Sequence, residues 1–299
     1  MILVVGLSSV WQRTLFFDGV RIGEVNRARR VVETASGKGV NVARVLTTLG
    51  VKARVLTVAG GRRGEFFARA LKQDKVSARV VPVSGETRLC QTLLAGGVAT
   101  ELVEESAALS RSEVAAVMRA FAEELRRAQM LVLSGTVPVG CGDDFYARLA
   151  RAAKECGVPV VVDAQRAQLM GAVREVPALV KINRAELAAA TGKGGMVSGV
   201  RELMERGARQ VVISHGAKTT MAFEGQARWE MTPPGIQPLN PIGSGDAMLA
   251  GIVAGMGRGK TLRESVRLGL ACGAANALTE TSGVVRMPDM RRLLRLLRD

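Results

Sequence analysis

Apolar positions along the chain follow two alternating rhythms. Six short β-branched runs, ILVVG from Ile2, RVLTVAGG from Arg54, MLVLSG from Met130, VPVVVDA from Val158, ALVKIN from Ala178 and QVVISHG from Gln210, are trailed by segments with apolar residues every three or four positions. Continuous apolar runs suit strands buried on both faces, and the longer spacing suits amphipathic helices. The alternation therefore predicts an α/β fold of parallel βαβ units with helices on both sides of the sheet. Several runs end in small or polar residues, namely Ser134-Gly135, Asp163, Asn183 and Ser214-His215-Gly216. Open α/β sheets bind ligands at the carboxyl ends of their strands, which makes that edge the candidate site.

Two segments break the rhythm. TLFFDGVRIGEVNRARRVVE, within Val10 to Glu33, and TRLCQTLLAGGVATELV, from Thr87 to Val103, alternate in the two-residue period and turn at Asp18-Gly19 and Gly96-Gly97. Both read as antiparallel hairpins that can pair in space as a small sheet projecting from the core. The expected division is a core of residues 1–9, 34–86 and 104–299 and a β lid of residues 10–33 and 87–103. No linker, repeat or low-complexity stretch interrupts the chain.

With 299 residues, 47% of them hydrophobic and only 3% aromatic, the core must pack on Val, Leu, Ala and Met. The formal charge of +15 attracts anions in general, from nucleic acid to phosphorylated small molecules. Much of it is dispersed on helices. In MRRLLRLLRD from Met290, Leu293, Leu294, Leu296 and Leu297 are expected to face inward and the arginines outward. With no accompanying nucleic-acid motif, neither nucleic acid nor a membrane is an expected partner. Cys90, Cys141, Cys156 and Cys272 have no metal-ligand or paired spacing and read as buried free thiols of a cytoplasmic protein. The longest nearly apolar run, Ala247 to Gly257, falls short of the roughly 20 residues of a membrane span.

The chemistry concentrates in two glycine-rich turns. NPIGSGDAMLAG from Asn240 strips the side chains from a turn and leaves one carboxylate before a helix. The amides of Gly243, Ser244 and Gly245 can converge on an anion, and Asp246 can take a proton from a hydroxyl beside it, an arrangement suited to phosphoryl transfer. The alternative is an Asp N-cap on a buried helix, with Gly251 and Gly255 serving close packing. The second turn, ASGKGVNVARVLTTLG from Ala35, leads into a helix with Val40, Val42, Val45, Leu46 and Leu49 on its apolar face. It has neither the Walker A nor the GxGxxG spacing, so Lys38 is not a P-loop lysine.

Together these turns resemble the two signatures of the PfkB (ribokinase-like) carbohydrate kinases: SGKGVNVA is similar to GGKGxNVA and NPIGSGDA to DTxGAGD, in the right order and about 200 residues apart. SGTVPVG at Ser134, KINRAE at Lys181 and SHGAK at Ser214 resemble the intervening landmarks. GEVNRA, GETR and ATELVEE are most similar to the 1-phosphofructokinase and tagatose-6-phosphate kinase subgroup. The resemblance implies a three-layer α/β/α core with a mainly parallel sheet and a β-sheet lid, which often forms a homodimer contact. It implies an ATP- and Mg²⁺-dependent kinase for a sugar or sugar phosphate.

By the same resemblance Asp246 is the base, and the Gly243, Ser244 and Gly245 amides meet the transferring phosphoryl group. Lys181 lies near the ATP phosphates, Asn183 and Glu186 organise Mg²⁺, and Ser214, Gly216 and Asn276 border the nucleotide. Gly37, Lys38 and Asn41 contact sugar, Arg88 binds a phosphate already on it, Ser134 completes the pocket, and Arg27 adds charge. The chain departs from the family after its first strand: SSVWQ puts Gln12 where an acceptor-binding Asp is usual. A neutral amide binds hydroxyls less strongly than a carboxylate, so an unphosphorylated sugar or nucleoside is the competing acceptor. Trp11 beside it can stack on sugar or pack under the lid. A third reading is a non-catalytic basic binding protein on the same scaffold.

Overall fold

Every residue of Ile2–Val5 is buried, with Ile2 and Val4 in one apolar cluster and Leu3 and Val5 in another. A strand alternates its side chains, so this one must be covered on both faces. The computed structural model describes residues 1–192 and 195–297. The chain runs from β1 (Ile2–Val5) through β2 (Val10–Phe17), β3 (Arg30–Ser36), α1 (Lys38–Thr48), β4 (Ala53–Ala59), α2 (Gly61–Gln73) and β5 (Ala78–Pro82). After β6 (Arg88–Ala95) and β7 (Val98–Val103) come α3 (Arg111–Leu125), β8 (Met130–Ser134), α4 (Phe145–Glu155), β9 (Val160–Asp163), α5 (Arg166–Val173), β10 (Leu179–Asn183), α6 (Arg184–Thr191) and α7 (Met196–Glu205). It finishes with β11 (Gln210–His215), β12 (Lys218–Glu224), β13 (Ala227–Met231), α8 (Ser244–Gly257), α9 (Leu262–Ala277) and α10 (Met287–Leu296).

Among the described residues the large sheet has the order β13-β12-β11-β10-β9-β8-β1-β4-β5. It is parallel from β11 to β5, and β12 and β13 add an antiparallel edge. One buried cluster packs α1, α8, α9 and α10 on one face, and the other packs α3, α4, α5 and α7 on the opposite face. From β1 the sheet grows one way toward β4 and the other way toward β8, so the loops leaving β1 and β8 diverge and open a crevice at their carboxyl ends. All six apolar runs of the sequence are strands of this sheet.

The two hairpins form a second sheet of order β3-β2-β6-β7. Each is antiparallel within itself, and they join through a parallel β2–β6 pair from Val10 opposite Arg88 to Phe17 opposite Ala95. The β3 strand runs on to Ser36 and delivers the chain directly into α1.

The α8 helix is buried from Asp246 to Gly255 and crosses α9 at backbone distance: a Cβ on Gly251 would lie 2.7 Å from Gly269 Cα. Two surface expectations are corrected. Leu293 and Leu297 are buried and the partly buried Leu294 packs beside them, but Leu296 is 60% exposed, because it falls outside the face of α10 that Met290, Leu293 and Leu297 share. Cys90, Cys141 and Cys272 are buried free thiols, whereas Cys156, at the C-cap of α4, is exposed. Among the described residues no helix is long and apolar enough to cross a membrane.

Candidate active site

A cavity of about 870 Å³ opens between the carboxyl edge of the large sheet and the small sheet. It brings together Gln12, Gly37, Lys38, Asn41, Arg88, Ser134, Lys181, Asn183, Glu186, Ser214, Gly216 and all of Gly243 to Asp246, drawn from both ends of the chain.

The glycine turn is bare for two separate reasons. Gly243 is the N-cap of α8 at φ 81°, a left-handed conformation, and a Cβ there would meet the Gly283 amide at 2.8 Å. A Cβ on Gly245 would stand 3.1 Å from Lys181 Nζ. The Ser244 amide donates to Pro241 O at 3.2 Å, whereas the Gly243 and Gly245 amides make no hydrogen bond among the described residues. The open donors at this helix start are thus Gly243 and Gly245 rather than all three amides. Asp246 is the third residue of α8 and does not cap it, so the N-cap alternative is excluded.

Asp246 is only 6% exposed, and its Oδ2 accepts from Asn41 Nδ2 at 2.8 Å. Burial pushes its carboxyl up to about 6, reinforced by Asp163, while Lys38, the Asn41 hydrogen bond and Lys181 oppose the rise. A carboxylate poised there is ionised near neutrality and more basic than a solvated Asp, as a general base requires.

Beside it lies an ion cluster centred on Asp163, which is fully buried at the end of β9. Its Oδ1 meets Lys38 Nζ at 3.0 Å and its Oδ2 meets Lys181 Nζ at 3.1 Å. Burial pushes the Asp163 carboxyl up, but Lys181 and Lys38 outweigh it and hold the group below the usual range. Lys38 also reaches Glu186 Oε1 at 3.4 Å. Burial pulls the Lys38 ammonium down, yet Asp163, Asp246 and Glu186 raise it well above its ordinary value, so it stays charged.

A model of the pfkB family of carbohydrate kinases matches residues 1–289. The chain belongs to that family. Among solved structures, phosphofructokinase-2 from Escherichia coli in complex with substrates and products is 26% identical, with a TM-score of 0.90 and 99% of each chain covered. The same enzyme in complex with fructose-6-phosphate is 25% identical, with a TM-score of 0.87, over 99% of this chain and 98% of that one. A Thermotoga maritima chain described as a "possible 1-phosphofructokinase" shares the fold at 21% identity and a TM-score of 0.89, over 98% and 97% of the two chains. The ribokinase-like α/β core with its separate small sheet is the architecture of PfkB kinases, which are ATP-dependent phosphotransferases.

In this PfkB kinase several residues stand differently from the sequence expectation. Asn183 and Glu186 form a reciprocal cap on α6, with Glu186 Oε2 accepting from the Asn183 amide at 2.8 Å and Asn183 Oδ1 from the Glu186 amide at 2.9 Å. Glu186 Oε1 also accepts from Gln165 Nε2 at 2.7 Å. Asn276 does not line the cavity. It is fully buried, donates to Ile242 O at 2.9 Å and accepts from the Gly283 amide at 2.8 Å, so it braces the glycine turn, while Ala274 and Ala277 of α9 reach the cavity. The Lys38 ammonium is committed to Asp163 and Glu186, and Asn41 to Asp246.

From the small sheet and the residues just after it, Gln12, Arg88, Cys90, Glu101, Val103 and Glu105 line the cavity. Gln12 is buried and donates to Thr92 Oγ1 at 2.9 Å. Arg88 Nη1 donates to Glu104 O at 3.1 Å, and its buried Nε has no partner among the described residues. Ser134 Oγ is likewise buried and unpartnered among the described residues. Gly37 needs its φ of 117°, where a Cβ would strike Ser8 O at 2.6 Å. Ser214 and Gly216 line the cavity together with Pro233, Pro234 and Ile236. Trp11 packs against Phe66, ring centroids 5.8 Å apart, and lies outside the cavity, as does the exposed Arg27 in the β2–β3 loop. Sequence reasoning did not assign site roles to Asp163, Gln165, Glu101 or Glu105. Asp163 carried a signal as a polar strand end, and Glu101 and Glu105 lie in ATELVEE, which was read for its subgroup likeness.

Proposed function

We propose that this PfkB kinase transfers the γ-phosphoryl group of ATP to a hydroxyl of a ketohexose phosphate, with fructose 1-phosphate, fructose 6-phosphate and tagatose 6-phosphate as first candidates. The observation that carries this reading is Asp246, a buried carboxylate pushed up to about 6 at the first turn of α8, beside two open amides and two lysines. The solved neighbour that holds fructose-6-phosphate supports the acceptor class.

Asp246 takes the proton of the acceptor hydroxyl as its oxygen attacks the γ-phosphorus. The bond from that phosphorus to the β–γ bridging oxygen breaks, and ADP leaves. The Gly243 and Gly245 amides and Lys181 face the charge that spreads over the transferring oxygens. Ser214 and Gly216 border the nucleotide. Gln12, Gly37 and Ser134 hold the sugar, and Arg88 holds the phosphate it already carries. Mg²⁺ bound with the nucleotide would neutralise phosphate charge, and Asn183 and Glu186, with Asp163 beside them, would hold it through its waters: these side chains are engaged with protein donors, and an ion that keeps its waters needs only one or two carboxylates. Residues 10–33 and 87–103 close over this site as a lid that excludes water. Its exposed apolar residues, among them Ile22, Val25, Val98 and Leu102, support pairing of two copies through the lid.

An unphosphorylated acceptor is the second reading. Gln12 is neutral, and Glu101 and Glu105 line the cavity beside Arg88, which leaves little net positive charge for a dianionic phosphate. An ADP-release screen over sugars and sugar phosphates separates the two. Activity confined to neutral sugars overturns the sugar-phosphate assignment, and normal turnover by Asp246→Asn overturns the mechanism.

A further inference from the structure

The base is held by an amide whose own orientation has to be fixed. Asn41 is 4% exposed and carries a donor and an acceptor on one flat group, and only its Nδ2 can support an ionised Asp246. Turned over, the amide would set Oδ1 against the carboxylate. Two donors on the other side prevent this: Ser36 Oγ at 3.1 Å and Arg44 Nη1 at 3.4 Å, both aimed at Asn41 Oδ1.

Arg44, one turn along α1 from Asn41, is 6% exposed and clamped from outside. Its Nη2 donates to Ala35 O at 2.6 Å, and its Nε and Nη2 meet Asp74 Oδ2, at the C-cap of α2, at 3.1 and 2.8 Å. A cation beside Asn41 makes the turned-over amide doubly unfavourable, since Nδ2 would then face the guanidinium. We infer that Arg44 is a positioning residue of the kinase reaction: anchored by Asp74, it holds the Asn41 amide in the one orientation that donates to Asp246. The inference rests on Asp246 as the base.

The charged groups around Asp246 are Lys38 from α1, Lys181 from β10 and Asp163 from β9, while α9 meets α8 through Gly269 and Gly273. None of these contacts Arg44. Loss of the amide's orientation removes a hydrogen bond that favours the ionised carboxylate, so the carboxyl keeps its proton to higher pH.

The test is a mutant cycle on the full chain, with fructose 6-phosphate or the best acceptor of the screen, following kcat and the KM for ATP across pH. Asn41→Ala and Arg44→Met are each expected to lower kcat by about 10- to 100-fold, leave the KM for ATP within about twofold and move the acid limb of kcat upward. The double variant is expected to be no worse than Asn41→Ala alone, and Arg44→Lys to recover part of the loss. Losses that multiply in the double variant, or an unmoved acid limb in Arg44→Met, overturn the inference. If Arg44→Met does not fold, Asp74→Asn, at a half-exposed site, carries the same expectation at smaller size, and an unmoved limb there overturns it equally. An active Asp246→Asn strikes the base assignment instead, so the two failures are distinguishable.

Discussion

Replacing Asp246 with Asn is expected to abolish turnover and, at the same time, to make the protein more stable. Burial raises the folded carboxyl from 3.8 to about 6, so between those values the folded state binds a proton that the unfolded state has released. The group's contribution to stability is therefore full below about pH 3.8 and is lost as pH rises through about 6. At about 1.4 kcal/mol per pH unit, the ionised wild type at pH 7 has given up about 3 kcal/mol. Asn carries no charge to desolvate, can still accept from Asn41, and leaves Lys38 and Lys181 paired with Asp163. For a chain of this length, about 3 kcal/mol corresponds to about 5 °C in Tm. Urea unfolding and thermal scans of both proteins from pH 4 to 8 read the effect. The gain should be largest above pH 7 and shrink toward zero near pH 4. An Asn variant no more stable than wild type at pH 7, or a gain equally large at pH 4, refutes the argument that this carboxylate is held ionised at a cost.

Three further outcomes follow from the same geometry. With Asp246 pushed up to about 6, kcat should fall about tenfold per pH unit below that value, and Lys38→Met, which removes the largest charge opposing the rise, should move the limb upward in a pH–rate profile. A limb that stays put or moves down contradicts the assignment. Arg88→Ala should raise the KM for a sugar phosphate at least about tenfold with little change in that for ATP, measured by steady-state kinetics, and an unchanged acceptor KM removes Arg88 from the phosphate contact. Leu102→Asp, on the exposed face of β7, should shift a dimer toward monomer in sedimentation runs, whereas an unaltered mass places any dimer contact elsewhere.

Six strands of the large sheet were legible as short, mainly apolar runs, whereas β5, β12 and β13 were not, their apolar residues being interrupted by Arg79, Lys218, Thr219, Arg228 and Glu230. The hairpins were legible because a two-residue period and paired turn residues are local signals. Asp246 and its glycines were legible for the same reason, since one short stretch holds the whole turn. Asp163 was not, because a lone Asp ending a strand has no spacing of its own and its partners Lys38 and Lys181 are 125 and 18 positions away. The Asn-x-x-Glu spacing of Asn183 and Glu186 fits a capping box as well as a metal site, and in the fold both side chains are occupied in capping α6, a use that competes with holding a metal. Asn276 misled for a related reason. Its neighbours Ala274 and Ala277 reach the cavity, but its own position on α9 turns it toward Ile242 and Gly283.

The parallel pairing of β2 with β6 bears on the order in which the molecule assembles. Gln12 and Thr92 bond across that pair from positions 80 apart in sequence, and between the two strands lie α1, β4, α2 and β5. Closing so long a segment before any other contact forms is entropically unfavourable, so neither hairpin can complete the lid until the core has carried their ends together. The lid should thus be the last part to become protected against hydrogen exchange during refolding and the first to lose protection in mild denaturant, giving a folded core whose acceptor side is still open to water.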